Sequence, residues 1–160
     1  MVGIIPTALM EGISSHMKPR LSKSAIQLRE QIDDSFPDRD RTSDGWIGDT
    51  KHAARKSARK SDHNPDAQGW VRAIDVDADL NNAKGTSVYL ADQIREYAKS
   101  SKRITYVIHM GKICSRKSLW RWVKYSGINA HNHHIHISFS EASDEDQTFF
   151  DIPMLGGSNG

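Results

Sequence analysis

The feature that most constrains the fold is the alternating segment at residues 134–139, His-Ile-His-Ile-Ser-Phe. Successive side chains of a β-strand point to opposite faces, so Ile135 and Ile137 share one face while His134 and His136 share the other. The pattern predicts a strand whose apolar face packs in the core and whose imidazoles can reach one metal ion or one scissile bond. A histidine-rich surface loop is the alternative interpretation.

The length and composition of the chain predict one domain with its own core. Of its 160 residues, 37% are hydrophobic and 26% are charged, which is typical of a globular protein. No apolar stretch approaches the length of about 18 residues that a membrane-spanning helix needs, so the sequence predicts no such helix.

The ends of the chain are expected to lie outside this domain, which we place at residues 18–152. Residues 1–17 are predicted to be a disordered extension or a remnant of an expression vector, because residues 14–17 read Ser-Ser-His-Met. The first ten residues lack basic charge and include Pro6, so they do not predict a secretory signal. Residues 153–160 are rich in glycine and predict a flexible tail.

The single cysteine, Cys114, excludes an internal disulfide and is consistent with a reducing compartment. Its neighbours Ile113 and Ser115 predict a strand, so a buried small hydrophobic residue is favoured over a nucleophile.

The net charge is only +2, yet five basic residues lie within 51–60 and five acidic residues within 141–151. The basic run is interpreted as a solvated face or as a contact for an anionic polymer such as nucleic acid or a bacterial wall.

The periodicity of apolar residues predicts two helices. The first covers residues 21–32, with Ser22 or Ser24 as its cap and Phe36-Pro37 at its end. The second covers residues 86–99, and its buried stripe is predicted to include Val88, Ala91, Ile94, Arg95 and Ala98. Residues 50–60 form either a short basic helix or part of a loop.

Strands are predicted over residues 71–76, 104–108, 112–114 and 135–139. Met110-Gly111-Lys112 joins the second and third of these as a hairpin. Trp120 and Trp122 are predicted on a strand or extended segment, where they form part of the core or line a groove. Helices interleaved with hairpin-connected strands predict an α+β fold, with a mostly antiparallel central sheet and helices packed on it.

Asp75 is a carboxylate between Ile74 and Val76 in an otherwise apolar strand. Burial of such a group costs free energy unless it is hydrogen-bonded, paired or coordinated. Imidazoles from His63 and from the histidine-rich strand are the nearest candidates as partners. One carboxylate and two imidazoles leave a fourth tetrahedral position for water, which is the arrangement of a catalytic zinc site.

These residues carry a family resemblance. The ordered motifs Ser61-x-His63, Gly69, Ala73-x-Asp75 and His134-x-His136 resemble the zinc peptidases that include D-Ala-D-Ala carboxypeptidases, lysostaphin-related enzymes and the hedgehog fold. A narrower group of phage endolysins is similar to this chain in Ser43-Asp44-Gly45-x-Ile47-Gly48-Asp49, Ser61-Asp62-His63-Asn64-Pro65-Asp66 and His131-x-x-His134-x-His136-x-Ser138. The resemblance extends from about Leu21 to Phe139 and implies a hedgehog-type fold for the domain at 18–152.

The resemblance implies one zinc ion per chain, bound by His63, Asp75 and His136. It makes His134 the catalytic histidine beside the metal and His131 a further active-site histidine that stabilises the developing oxyanion. In the wider family the aspartate follows the histidine by seven residues, whereas here the gap from His63 to Asp75 is twelve. This departure leaves Asp77 as an alternative ligand, with Asp75 favoured by the Ala-x-Asp spacing.

Other positions have two interpretations each. His133 occupies the position of an acidic base in some relatives and is the alternative to His134. Arg72 is predicted to bind a substrate carboxylate or carbonyl, or to be an ordinary surface arginine. Ser61 is a candidate substrate contact, although orientation of the His63 loop is favoured. His52 and His109 lie outside the motifs and are interpreted as surface residues or neighbours of the site.

The implied reaction is hydrolysis of an amide bond in the stem peptide of bacterial peptidoglycan. An L-alanyl-D-glutamate endopeptidase made in the host cytoplasm and released to the wall is the first expectation, and a D-Ala-D-Ala carboxypeptidase is the alternative. We expect a monomer with peptidoglycan as its partner, and neither nucleic acid nor membrane.

Two other classes compete. One is a metal-dependent nuclease, suggested by His131-Asn132-His133 and the basic run, but no helix is predicted after the last strand, as a ββα-metal finger requires. The other is a non-catalytic zinc-containing wall-binding module, against which the presence of His131 and His134 argues.

Overall fold

The computed structural model describes residues 18–48 and 61–158. These residues form two α-helices, a five-stranded antiparallel sheet and a two-stranded parallel pair. The predicted α+β class with a mostly antiparallel sheet is confirmed. The predictions for residues 1–17 and for the basic segment 50–60 lie outside the described residues.

Helix α1 spans Lys23–Ser35 and helix α2 spans Thr86–Ala98. The Ser22 hydroxyl accepts a hydrogen bond from the Ala25 N–H, so Ser22 is the cap of α1, and Phe36 ends the helix as expected. Gly85 precedes α2 with a φ of 92°, a conformation that glycine adopts without steric cost. The buried stripe predicted for α2 is wrong at Val88, which is 49% exposed, because the helix buries Leu90 in its place.

The strands follow the chain in the order β1 to β7. Their bounds are Arg20–Leu21 (β1), Trp70–Val71 (β2), Ala73–Asp77 (β3), Ile104–His109 (β4), Lys112–Ser115 (β5), Val123–Lys124 (β6) and His134–Phe139 (β7). The sheet order is β3-β7-β4-β5-β6 with every pair antiparallel, and β1 pairs with β2 in parallel. The predicted hairpin of β4 and β5 and the predicted strand β7 are confirmed.

The single strand predicted over 71–76 is wrong, because the chain changes partner at Arg72. Val71 pairs with Leu21 in the small parallel pair, whereas Ala73 pairs with Ser138 in the large sheet. The Arg72 N–H donates to the Asp62 carbonyl at 3.0 Å, so its backbone is bonded to a loop at the break.

The core lies on one face of the central sheet. Apolar residues of β3 and β7, including Ile74, Val76, Ile135 and Ile137, join the buried sides of both helices in one cluster. Cys114 is also buried there, and burial raises the pKa of its thiol to about 12, which agrees with the prediction of an unreactive cysteine. The opposite face of β3 and β7 remains for polar side chains.

The C-terminal segment packs into the same core. Pro153–Leu155 forms a short 3-10 helix, and Leu155 is only 2% exposed. The Gln31 amide on α1 donates to the carbonyls of Phe150 and Leu155 at 2.9 and 3.0 Å. The predicted start of a flexible tail at residue 153 is therefore wrong, because these contacts hold residues 153–155 against α1.

The tryptophan segment is a turn rather than a strand. Leu119 and Trp120 have φ values of 57° and 59° between the 3-10 helix Arg116–Ser118 and β6. Trp120 is buried in the core, and the Trp122 indole N–H donates to Asp92 at 3.0 Å. These contacts favour the interpretation of Trp120 as a core residue.

Candidate metal centre

The pairing of β3 with β7 brings the predicted carboxylate and imidazoles to one face of the sheet. Asp75 lies opposite His136, and Asp77 lies opposite His134. Because side chains on a strand alternate between faces, Asp75, His134 and His136 all lie on the face opposite the apolar core. Two adjacent strands therefore carry most of the site.

His63 reaches this face from the loop before β2. The His63 N–H donates to the Ser61 hydroxyl at 3.2 Å, and the Asn64 N–H donates to the Ser61 carbonyl at 3.0 Å. Such side-chain and backbone contacts define a turn. They support the interpretation of Ser61 as the residue that orients the His63 loop, and the substrate contact of Ser61 stays a prediction.

The segment 43–48 is the second support of His63. At the open edge of β3, the Asp75 N–H donates to the Gly45 carbonyl at 2.7 Å and the Gly45 N–H donates to the Asp75 carbonyl at 3.1 Å. The Trp46 carbonyl lies 3.0 Å from His63 Nδ1, and the Gly48 N–H donates to the His63 carbonyl at 2.9 Å. This segment therefore ties the histidine to the strand that carries the carboxylate.

Arg39 anchors the same segment. Its side chain is fully buried and donates to both oxygens of Asp44, at 2.8 and 2.6 Å, and to Asp33 on α1 at 2.8 Å. Asp44 also accepts from the backbone N–H of Asp77 at 2.7 Å. The ion pair thus connects α1, the segment 43–48 and β3 in one network.

Three side chains converge at the centre. His63 Nε2 lies 3.2 Å from His136 Nδ1 and 3.3 Å from Asp75 Oδ2, and His136 Nδ1 lies 3.1 Å from Asp75 Oδ1. Ligand atoms at 2.0–2.1 Å from a tetrahedral zinc ion are about 3.3 Å apart. The residues His63, Asp75 and His136 therefore fit one metal ion by their donor types and by their separations.

The outer nitrogen of each imidazole has its own partner. His63 Nδ1 faces the Trp46 carbonyl, which can only accept, so Nδ1 carries the hydrogen. His136 Nε2 lies 2.7 Å from the Ser138 hydroxyl, which accepts from Nε2–H when Nδ1 is deprotonated. The lone pairs of His63 Nε2 and His136 Nδ1 then point toward each other beside the Asp75 carboxylate, an arrangement that a bound cation would stabilise.

The electrostatics agree with a site that holds positive charge. Burial opposes ionisation of Asp75, but hydrogen bonds with His136 and His63 outweigh it and hold the pKa of the carboxyl well below its usual range. Burial also lowers the pKa of His63, yet Asp75 more than compensates and the net pKa is raised. Burial keeps the pKa of His136 below its ordinary value. A bound metal ion would compete with protons for these imidazole nitrogens.

His134 and His131 complete the cluster on its other side. His134 Nε2 lies 3.6 Å from Asp75 Oδ1, and the His131 ring centroid lies 4.9 Å from that of His134 and 5.4 Å from that of His136. His131 Nδ1 and His134 Nε2 are both buried and have no hydrogen-bond partner within the described part of the chain. Burial, His136 and His134 together lower the pKa of His131 to about 4, so its ring is neutral at pH 7.

All five side chains predicted as ligands or catalytic groups thus lie in one cluster. His133 does not join it, because its side chain is exposed while its carbonyl accepts from the Ala78 N–H at 2.9 Å and from the Ser43 hydroxyl at 3.0 Å. An open cleft of about 730 Å³ begins beside His133 and Asp77 and runs past Lys84. The three convergent ligands lie next to this cleft rather than in its lining.

His109, which the sequence interpreted as a surface residue or a neighbour of the site, is a neighbour of the site in the structure. It is buried, its Nδ1 lies 2.9 Å from the carbonyls of both His131 and His134, and its Nε2 lies 2.9 Å from the Ser87 hydroxyl on α2. Carbonyls only accept, so Nδ1–H donates to both and Nε2 accepts from Ser87. The sequence could have predicted this burial only from the alternation of side chains along the strand, which places His109 on the same face as the buried Val107.

Arg72 is engaged by the protein itself. Its guanidinium donates to both oxygens of Asp144 at 2.7 Å each and lies 2.8 Å from Asp66. Hydrogen bonding to Asp144 is the main reason that the pKa of Arg72 is raised. These contacts hold a side chain that is 17% exposed, so Arg72 is not an ordinary surface arginine, and its contact with a substrate carboxylate or carbonyl stays a prediction.

Comparison of the chain with protein-family models, with curated proteins and with solved structures found no match. The resemblance to zinc peptidases therefore rests on the motifs, and the metal centre rests on the geometry of five side chains. Among the helices that the structure describes, none is both long enough and apolar enough to cross a bilayer.

Proposed function

We propose that the protein is a zinc-dependent peptidase of the phage endolysin type, which hydrolyses an amide bond in the stem peptide of bacterial peptidoglycan. The observation that carries this proposal is the convergence of His63, Asp75 and His136 at ligand separations, with two unpartnered imidazoles beside them. The antiparallel sheet with two helices agrees with the proposed hedgehog-type fold. Peptidoglycan, and the L-alanyl-D-glutamate bond as first choice, follow from the resemblance of the motifs.

In the proposed mechanism, His63, Asp75 and His136 hold the ion. When bound, zinc supplies a polarised scissile carbonyl and a water whose pKa is lowered to about 7. His134 Nε2, buried and unpartnered beside Asp75, accepts the proton of the attacking water and returns it to the leaving amine. His131 is neutral at pH 7 and, with its hydrogen on Nδ1, donates to the developing oxyanion.

The structure disfavours a nuclease and a non-catalytic module but leaves a D-Ala-D-Ala carboxypeptidase open. A ββα-metal finger needs an α-helix after its strands, whereas β7 is followed by the three-residue 3-10 helix Glu141–Ser143, which disfavours the nuclease. The buried, unpartnered nitrogens of His131 and His134 favour an enzyme over a non-catalytic module, because such nitrogens can exchange protons with a substrate. A D-Ala-D-Ala carboxypeptidase remains the alternative within the proposed class, because it shares the same metal chemistry.

The direct test is clearing of outer-membrane-stripped bacteria by the monomeric protein, with and without a chelator, followed by mass spectrometry of the released muropeptides. We expect clearing that a chelator abolishes and zinc restores, with new L-alanine carboxyl and D-glutamate amino ends. Loss of only a terminal D-alanine would identify the carboxypeptidase. Intact walls at full zinc occupancy would contradict the proposal.

His134→Ala and His133→Ala test the assignment of the base. We expect His134→Ala to abolish turnover while zinc stays bound, because His134 is not among the three convergent ligands. His133→Ala is the matched control and should retain activity, since the His133 side chain is exposed. The opposite pattern would assign the proton transfer to His133.

A further inference from the structure

We propose that the cluster contains a second, weaker zinc position formed by His131, His134 and the shared carboxylate of Asp75, and that zinc bound there inhibits the enzyme. The inhibitory effect rests on the proposed peptidase function, whereas the metal position rests on the geometry alone.

The first argument is the set of ligand atoms. A nitrogen of His131, a nitrogen of His134 and a carboxylate oxygen of Asp75 lie within 4.8 Å of one another. His131 Nδ1 and His134 Nε2 are buried without a hydrogen-bond partner in the described residues. Native proteins rarely leave such atoms unpaired unless a ligand, an ordered water or an ion completes them. His131 is only 9% exposed, so its ring is largely withdrawn from bulk solvent.

The second argument is that the Asp75 carboxylate lies between the ligands of the first position and those of the second. Asp75 Oδ2 lies 3.3 Å from His63 Nε2, while Asp75 Oδ1 lies 3.1 Å from His136 Nδ1 and 3.6 Å from His134 Nε2. A carboxylate can bridge two ions, and paired metal sites have their ions about 3.5–4 Å apart. The second position shares its only anionic ligand with the first, so mutual repulsion of the two ions makes it the weaker one.

The third argument is that the two imidazoles are held in place before any ion arrives. His109 Nδ1–H donates to the carbonyls of His131 and His134, each at 2.9 Å, so one buried side chain sets the distance between these residues. Preorganised ligands lose less conformational freedom on binding. An ion at this position would occupy the His134 Nε2 lone pair that the proposed proton transfer requires, and it would displace the His131 N–H that the oxyanion contact requires, so it would block turnover.

Zinc binding by the metal-free protein tests the position without reference to activity. Equilibrium dialysis against increasing zinc, followed by metal analysis, should give the wild type one tight and one weaker equivalent. His131→Gly and His134→Ala should each lose the weaker equivalent and keep the tight one. Glycine suits position 131 because His131 has a φ of 58°. His133→Ala, the exposed neighbour, should keep both.

The proposal is overturned if the wild type saturates at one equivalent, or if the folded His131→Gly and His134→Ala proteins both retain two. Circular dichroism establishes that the variants are folded, and the two substitutions lie on different backbone conformations, so both are not expected to fail together. The activity of the wild type and of His133→Ala should rise with zinc and then fall. Tight zinc and wall cleavage without this fall would refute the inhibition alone, whereas absence of tight zinc or of cleavage would refute the proposed function.

Discussion

Replacement of Ser138 by alanine is expected to weaken zinc binding without removing a ligand. The Ser138 hydroxyl is fully buried and lies 2.7 Å from His136 Nε2, whose hydrogen it accepts in the tautomer that binds metal. Without the hydroxyl, that N–H is buried and unpaired. The other tautomer places the hydrogen on Nδ1, 3.1 Å from Asp75 Oδ1. The variant therefore favours the tautomer whose Nδ1 has no lone pair for zinc.

The magnitude follows from the cost of the unpaired donor. A buried donor without a partner costs about 1–3 kcal/mol, and each 1.4 kcal/mol is a factor of ten in an equilibrium constant. The expected loss of zinc affinity is therefore about 5- to 150-fold, a range that includes the 10- to 100-fold typical of hydrogen-bond partners of metal-binding histidines. The stabilisation that zinc gives the folded state should fall by the same free energy.

Competition with a chelator measures the affinity, and thermal unfolding with and without zinc measures the linked stability. Ser138→Thr retains a hydroxyl and should bind zinc nearly as well as the wild type. Ser143→Ala removes another fully buried hydroxyl outside the cluster and should lower stability without changing zinc affinity. The reasoning about the tautomer is refuted if Ser138→Ala and Ser143→Ala are destabilised alike and both bind zinc as tightly as the wild type.

Three further predictions concern the supports of the site. Arg39→Leu removes a fully buried guanidinium and leaves the half-buried carboxylate of Asp44 unpaired, so it should lower the free energy of unfolding by about 1–3 kcal/mol in urea titrations. Arg41→Leu breaks an exposed pair and should cost less than about 1 kcal/mol. His109→Phe removes the donor to the carbonyls of both unpartnered histidines and should lower kcat by up to about 100-fold at unchanged tight-zinc affinity; equal losses of both would contradict a positioning role. Burial opposes ionisation of Asp66, but hydrogen bonds from the Trp70 and Gln68 N–H groups and the charge of Arg72 outweigh it and lower the Asp66 pKa below 3.8. The resulting stability is present above the unfolded pKa and is lost as pH falls through the folded one, so Asp66→Asn should lose less stability than the wild type between about pH 5 and pH 2; identical curves would contradict this.

The local patterns were sufficient for the elements that carry the site. Alternation over residues 134–139 predicted both the strand and its two faces, because the period of side chains on a strand is a local property. The first helix was also predictable, since its cap Ser22 and its end at Phe36 are encoded by neighbouring residues. The hairpin of β4 and β5 follows from the turn at Met110 and Gly111 in the same way.

The errors share a different origin, since each depends on a contact between distant segments. The chain pairs with β1 before Arg72 and with β7 after it, and both partners are distant in sequence. The Arg72 guanidinium is engaged by Asp144, 72 positions later. Leu155 packs in the core and its carbonyl accepts from Gln31, 124 positions earlier. No local pattern contains such partners, so burial of the tail and the ion pair of Arg72 were not predictable.

The choice between Asp75 and Asp77 as ligand shows where both kinds of information are needed. Both carboxylates lie on one face of β3, and the sequence favours Asp75 only through its Ala-x-Asp spacing and its apolar neighbours. In the structure, Asp77 accepts hydrogen bonds from the Ser43 hydroxyl at 2.6 Å and from the Asp79 N–H at 2.8 Å, so its charge is satisfied by the protein. Within the described residues, the ion-pair partners of the Asp75 carboxylate are all imidazoles, those of His63, His134 and His136. A carboxylate whose partners are all metal-binding groups is the better candidate for a metal ligand. The segment 43–48 makes the difference, because Ser43 donates to the Asp77 carboxylate whereas Gly45 pairs only with the backbone of Asp75.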